Sequence, residues 1–140
     1  MAPPLLNGVG KLCMIDALFN DPNYLAAKKS LDAIALRQEA IASNIANLET
    51  PGYHRVDLSP TFKQELERAC ASGNAQQIEA LKPAITVDPS AVPNSLDGNT
   101  VNFESEMMQL NQNTMAHALE TQLVSSSLLR LQMAISGKTS

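Results

Sequence analysis

The chain has 140 residues, 44% of them apolar and 4% aromatic with no Trp, and it carries a net charge of −4. That length fits one domain, and an apolar content carried by Ala, Leu, Ile and Met suits helices more than sandwiches. No basic patch is available to neutralise phosphates, which argues against nucleic acid, and no apolar run approaches the roughly 20 residues needed for direct membrane insertion.

Residues 1–23 hold Pro3, Pro4, Gly8, Gly10 and Pro22 and read as a loose leader, with one short helical turn around Lys11–Phe19. Its single Lys and an apolar stretch broken by Asp16 match a cleaved secretory signal poorly. Cys13 and Cys70 are the only cysteines. They define neither a metal spacing nor a redox pair and read as unpaired thiols.

Over 24–48 the pattern changes. Tyr24, Ala27, Leu31, Ile34, Gln38, Ile41, Ile45 and Leu48 step by three and four without a slip. That period of 3.5 predicts a helix that packs on other helices. Alanines beside the seam, Ala33, Ala40 and Ala46 among them, let a second helix come close. Pro51 pushes Thr50 out of helical geometry and Gly52 suits a turn, so the helix stops there.

Residues 49–100 form a turn and an irregular middle segment. Ser59 or Thr61 caps a short helix that Gly73 closes. Pro83, Pro89 and Pro93 forbid a long helix afterwards, and "AITVD" supplies at most one short strand. Helix returns over 101–136, with Asp97-Gly98 as the turn before it and 137–140 as a tail. Phe103, Met107, Leu110, Thr114, His117, Thr121, Val124, Leu128, Leu131 and Ile135 form its seam. A second stripe of Met108, Met115, Leu119, Leu123 and Met133 implies more than one neighbour. The expected fold is mainly α: two long terminal helices, paired as a coiled coil in an assembly, around an irregular middle with minor β. Isolated helices of this size are marginal in water, so both are expected to be completed by other chains.

Nothing in the pattern supplies catalysis. His117 reads as a packed seam residue and His54 as surface, and neither has a partner at zinc spacing. Glu65, Glu67, Glu104 and Glu106 read as solvated helix faces. "NGVGK" lacks the glycine and hydroxyl of a phosphate loop. No catalytic, cofactor-binding or metal-binding residue is expected, and no cofactor.

One stretch is specific. "SNIANLETPGYHR" resembles the N-terminal signature of bacterial flagellar rod and hook proteins. The match falls on Asn44, Ile45, Ala46, Asn47, Thr50, Pro51, Gly52 and Tyr53, with Arg55 as the following basic residue. "SLDGNTVNFESEMMQLNQNT" is similar to the opening of the C-terminal helix in the short proximal rod members. The resemblance implies a non-enzymatic structural subunit of the basal-body rod, the shaft that transmits motor torque for swimming. It also implies a periplasmic location reached by type III export without a cleaved signal. The implied partners are copies of itself, other rod proteins, membrane-ring and rod adaptor proteins and the export apparatus. A different short axial rod protein, or a cytoplasmic helical adaptor or export chaperone, are the competing readings. Within the motif, Asn44 and Asn47 lie one turn apart and are expected to fix helix register, while Thr50 to Tyr53 form a joint that aims the middle segment.

Overall fold

A computed structural model describes residues 20–93 and 96–136. The element order is α1 (Pro22–Ala46), β1 (Val56–Leu58), α2 (Pro60–Ser72), α3 (Ala75–Ala80), β2 (Ile85–Val87) and α4 (Phe103–Ser136). The mainly helical architecture expected from the sequence is the one found. Most of the expected leader, including Cys13, lies outside the described residues, as do the 137–140 tail and the side chain of Ile135.

Helix α1 begins two residues before the seam does. The Asp21 side chain accepts the Asn23 N–H at 3.0 Å, and Pro22 occupies the first helical position. Both are start signals: an acidic cap answers an orphan N–H, and proline has none to lose. The middle segment is more ordered than its prolines suggest. Helix α2 ends at Gly73, and the Asn74 side chain at once caps α3 by accepting from Gln76 and Gln77 N–H. Ser59 stands at the N-cap of α2, but its hydroxyl pairs with that of Thr61 at 2.8 Å instead of capping the helix. Strands β1 and β2 pair antiparallel, Val56 opposite Val87 and Leu58 opposite Ile85. Ser59 N–H to Ala84 O and Asp88 N–H to Arg55 O bracket this ribbon.

The apolar core is small. Leu25, Ala69 and Ile78 are buried together, with Ala26, Leu66, Ala75 and Leu81 packed around them. It fastens α2 and α3 to the first half of α1.

Helices α1 and α4 run antiparallel, as their side-chain ties show. Asn113 donates to Ile34 O and Gln38 Oε1, Arg37 to Gln109, and Asn44 to Glu106. The contact line on α1 is therefore Ala33, Arg37, Ala40 and Asn44, and on α4 it is Glu106, Gln109 and Asn113. Each line sits one residue before the apolar seam, a rotation of about 100° around the helix. Of the seam side chains, Ile41 is buried. Leu31, Ile34, Ile45, Leu48, Leu110, Val124 and Leu131 are half-buried, and Met107 and Leu128 are exposed. The in-chain contact is thus polar and small, not apolar. Its reason is proximity: Ala33 and Ala40 let α4 close enough for side chains to reach its partner's backbone, as Asn113 does. Because the helices are antiparallel, both displaced seams turn to the same side. There they border a groove lined by Ile34, Ala35 and Gln38 opposite Asn113, Thr114 and His117. His117 is exposed in that groove, so its expected place as a packed residue is corrected. The second stripe stays open to solvent, Met115 at 67% and Leu119 at 65%.

The core makes a direct prediction. Ile78 is 0% exposed, and Ile78→Ala removes its packing on three helices. Chemical denaturation should show a loss of about 2–5 kcal/mol, with α2 and α3 the first elements to lose amide protection.

Candidate assembly joint

The end of α1 meets β1, the ribbon and the start of α4 at one place, and the sequence motif lies there. Asn44 is 0% exposed. Its Nδ2 donates to Val56 O at 2.8 Å and Glu106 Oε2 at 3.1 Å, while its Oδ1 accepts from Val56 N–H at 3.0 Å and the Tyr53 hydroxyl at 3.4 Å. Both donors and both lone pairs of the carboxamide are used. Asn44 therefore joins helix to strand and to α4 within the chain. Asn47 does not reach another helix. Its Nδ2 folds back on Ser43 O at 2.9 Å, and its Oδ1 takes the Thr50 hydroxyl at 3.2 Å. The expected pair thus divides: Asn44 sets register, and Asn47 finishes its own helix as the C-cap.

Thr50 to Tyr53 make a turn closed by Tyr53 N–H to Thr50 O at 3.3 Å. Pro51 stands second and Gly52, at φ +68°, stands third, the residue order of a type II turn. A Cβ on Gly52 would meet nothing within 4 Å, so backbone conformation rather than space requires glycine there. The Tyr53 ring lies back along α1, with its hydroxyl 3.1 Å from that of Ser43. Ile45 is half-buried and Ala46 exposed; neither takes part in the polar joint.

The second half of the joint arrives from fifty residues away. Gly52 N–H bonds Asp97 O at 3.0 Å, and Thr100 N–H bonds Tyr53 O at 3.1 Å. Asn99 Nδ2 lies within 2.8–3.0 Å of the Asn47, Leu48 and Thr50 carbonyls.

Below the turn sits a charge cluster. Arg55 spreads its guanidinium over three carboxylates: Nε to Glu106 at 2.6 Å, Nη1 to Asp88 at 2.6 Å and Nη2 to Asp57 at 2.9 Å. Arg37 adds a second cation to Asp57 at 2.9 Å. Glu106 is 0% exposed, which corrects its reading as a solvated helix face. The only sequence signal was its place on a polar line with Gln109 and Asn113, three and seven residues on. Among the described residues no buried side-chain N or O lacks a hydrogen-bond partner.

This setting moves the ionisations. Burial pulls Arg55 down, but hydrogen bonds and charge from Glu106 and Asp57 outweigh it and hold the guanidinium above its ordinary value. Burial pushes the Asp57 carboxyl up, yet Arg37, Arg55 and the Leu58 N–H together bring it below the usual carboxylate range. Asp88 is lowered first by the Ser90 hydroxyl, against burial, then by the Ser90 N–H and Arg55. Chemically the cluster can clamp; it presents no nucleophile with a base. No group of His, Cys, Asp and Glu among the described residues has the arrangement to hold a metal ion, and no described helix is long and apolar enough to cross a membrane.

The sequence profile described as flagella basal body rod protein matches residues 27–54. Flagellar basal body rod protein FlgB of Borrelia hermsii is 37% identical over 114 residues, which cover 69% of this chain and 83% of that protein. The chain belongs to the FlgB family. The FlgB of Escherichia coli K12 is 32% identical over 128 residues, 80% of this chain and 90% of its own. That of Yersinia enterocolitica is 34% identical over 104 residues, 64% and 76% respectively. The profile matched in this FlgB-family chain covers α1 and the turn but stops at His54. Arg55, Asn99 and Glu106, which complete the joint, lie beyond it.

Two outcomes follow from the cluster. Arg55→Ala leaves Glu106 buried without its cation, a loss of about 3–5 kcal/mol in denaturant unfolding; Arg55→Lys should recover only part, since one ammonium cannot span three carboxylates. Asp57 and Asp88 have folded values below their unfolded ones. Their contribution to stability is therefore complete above about pH 4 and lost as pH falls through the folded values. Unfolding curves at pH 7, 5 and 3 should agree at the first two and drop at the third, and the drop should shrink in Asp57→Asn.

Proposed function

We propose that the chain is a non-enzymatic structural subunit of the flagellar basal-body rod, in its proximal part. It assembles with copies of itself and with other rod proteins into the periplasmic shaft that carries motor torque. Membrane-ring and rod adaptor proteins are its neighbours, and the flagellar export apparatus delivers it without a cleaved signal peptide.

The observation that carries this reading is the likeness to FlgB of Borrelia hermsii across 83% of that protein. Two features of the chain support it. The helix pair keeps a groove on one side and an open stripe of Met108, Met115 and Leu119, and apolar surface of that extent on a small chain marks contact with other protein. The joint is polar throughout and fully paired, so its work is to fix an angle between the helix pair and the α2–α3 body. In this reading the Asn44-to-Tyr53 motif sets that angle. The seam of Leu31, Ile34, Ile41, Ile45, Leu48, Met107, Leu110, Val124, Leu128, Leu131 and Ile135 packs on neighbouring subunits.

The test is genetic and biochemical. A deletion strain should lose filaments and swimming, and the wild-type chain should restore both and co-purify with basal bodies. Gly52→Val forces a branched side chain into a left-handed backbone and should abolish the rescue; Asn47→Ala should weaken it. Filaments in the deletion strain would end the rod reading, and normal swimming with both variants would end the role given to the motif.

A further inference from the structure

Helix α1 cannot finish itself. Pro51 has no N–H to offer, and the Thr50 N–H is already spent on Asn47 O at 3.1 Å. A helix end leaves its last carbonyls without intrahelical donors. Here a single side chain answers three such oxygens: Asn99 Nδ2 stands 2.9 Å from Asn47 O, 3.0 Å from Leu48 O and 2.8 Å from Thr50 O. The other end of the same carboxamide does a separate job. Asn99 Oδ1 accepts the Val101 N–H at 2.8 Å and shapes its own loop. Asn99 is buried and lies next to two backbone bonds between the same segments, Gly52 to Asp97 and Thr100 to Tyr53. Arg55 N–H adds a third tie, to the Thr100 hydroxyl at 2.8 Å.

We infer that Asn99 is a removable cap: the end of α1 and the Thr50–Tyr53 turn close only when the 97–100 loop docks, so α1 and α4 are completed together or not at all. Local sequence alone cannot close the turn, because the donor it needs is some fifty residues ahead. A chain held with its last third apart from the rest, as in passage through a channel, keeps its N-terminal motif open. Docking of the loop then sets the joint angle in one step. This coupling is a property of the single chain and stands or falls independently of the rod reading.

The discriminating variant is Asn99→Asp in the full chain. Aspartate is nearly the same size and keeps the oxygen that accepts from Val101, so a residue that merely shapes its loop tolerates it. A cap does not, since a carboxylate would face three carbonyl oxygens. Residue-resolved hydrogen exchange is the readout. The expected result is that amides of Thr50, Gly52, Tyr53 and Thr100 exchange together, roughly tenfold faster or more, while Val101 and the core amide of Ile78 stay protected. Wild-type protection at Thr50 and Tyr53 would overturn the inference. So would loss at Thr100 alone, which would show the two segments uncoupled. If Asn99→Asp also exposes Ile78, Asn99→Ala is read by the same criteria. Global loss in both variants would count against a separable closure.

Discussion

A carboxylate with no access to solvent governs this molecule. Glu106 sits on the first turns of α4, and its two oxygens are committed to two different elements: Arg55 just before β1 and Asn44 near the end of α1. A lone buried carboxylate is too costly to keep, so its position dictates that both partners be in place. Arg55 in turn needs its remaining donors satisfied, and Asp57 and Asp88 provide for them from the two strands. The ribbon, the helix end and α4 thus meet at a point set by charge and hydrogen-bond geometry. Such a cluster is weak evidence for stability and better evidence for specificity. That matches a chain whose apolar core, around Leu25, Ala69 and Ile78, lies elsewhere and fastens different elements.

The division of labour is spatial. Apolar packing holds α2 and α3 on the first half of α1. Polar pairing holds α4 on α1 from Asn113 to Glu106. What neither uses is the larger apolar side chains of the long helices, which stay half-buried beside the groove or open on the far side. The FlgB-family motif lies where these regimes meet, and each of its polar members has an intramolecular task.

Sequence reading found both long helices, the stop at Pro51-Gly52 and the special character of Asn44 to Tyr53, because these are written in local spacing and backbone chemistry. It placed the in-chain contact one residue off on both helices. Apolar periodicity marks the face with the most hydrocarbon, whereas Ala33, Ala40 and Asn113 form the face that lets two backbones approach. Glu106 was unreadable for a related reason. A glutamate in a first helical turn is ordinarily a solvated residue favoured by the helix dipole, and only the fold brings Arg55 to it. Asn99 looked like a candidate cap for the helix that follows it; its amide nitrogen instead serves the helix before it. Helix α3 and strand β1, at six and three residues, are too short to carry a periodic signal.

The polar contact line between α1 and α4 behaves as a ruler. Hydrocarbon faces tolerate sliding, since one methyl replaces another with little change. Asn113 on Ile34 O, Gln109 on Arg37 and Glu106 on Asn44 form three graduations over two turns, each legible only at one setting. A shift of α4 by a single turn, about 5.4 Å, would misread all three at once. The two long helices therefore have one permitted offset, and the length by which α4 outruns its partner is fixed by the chain itself.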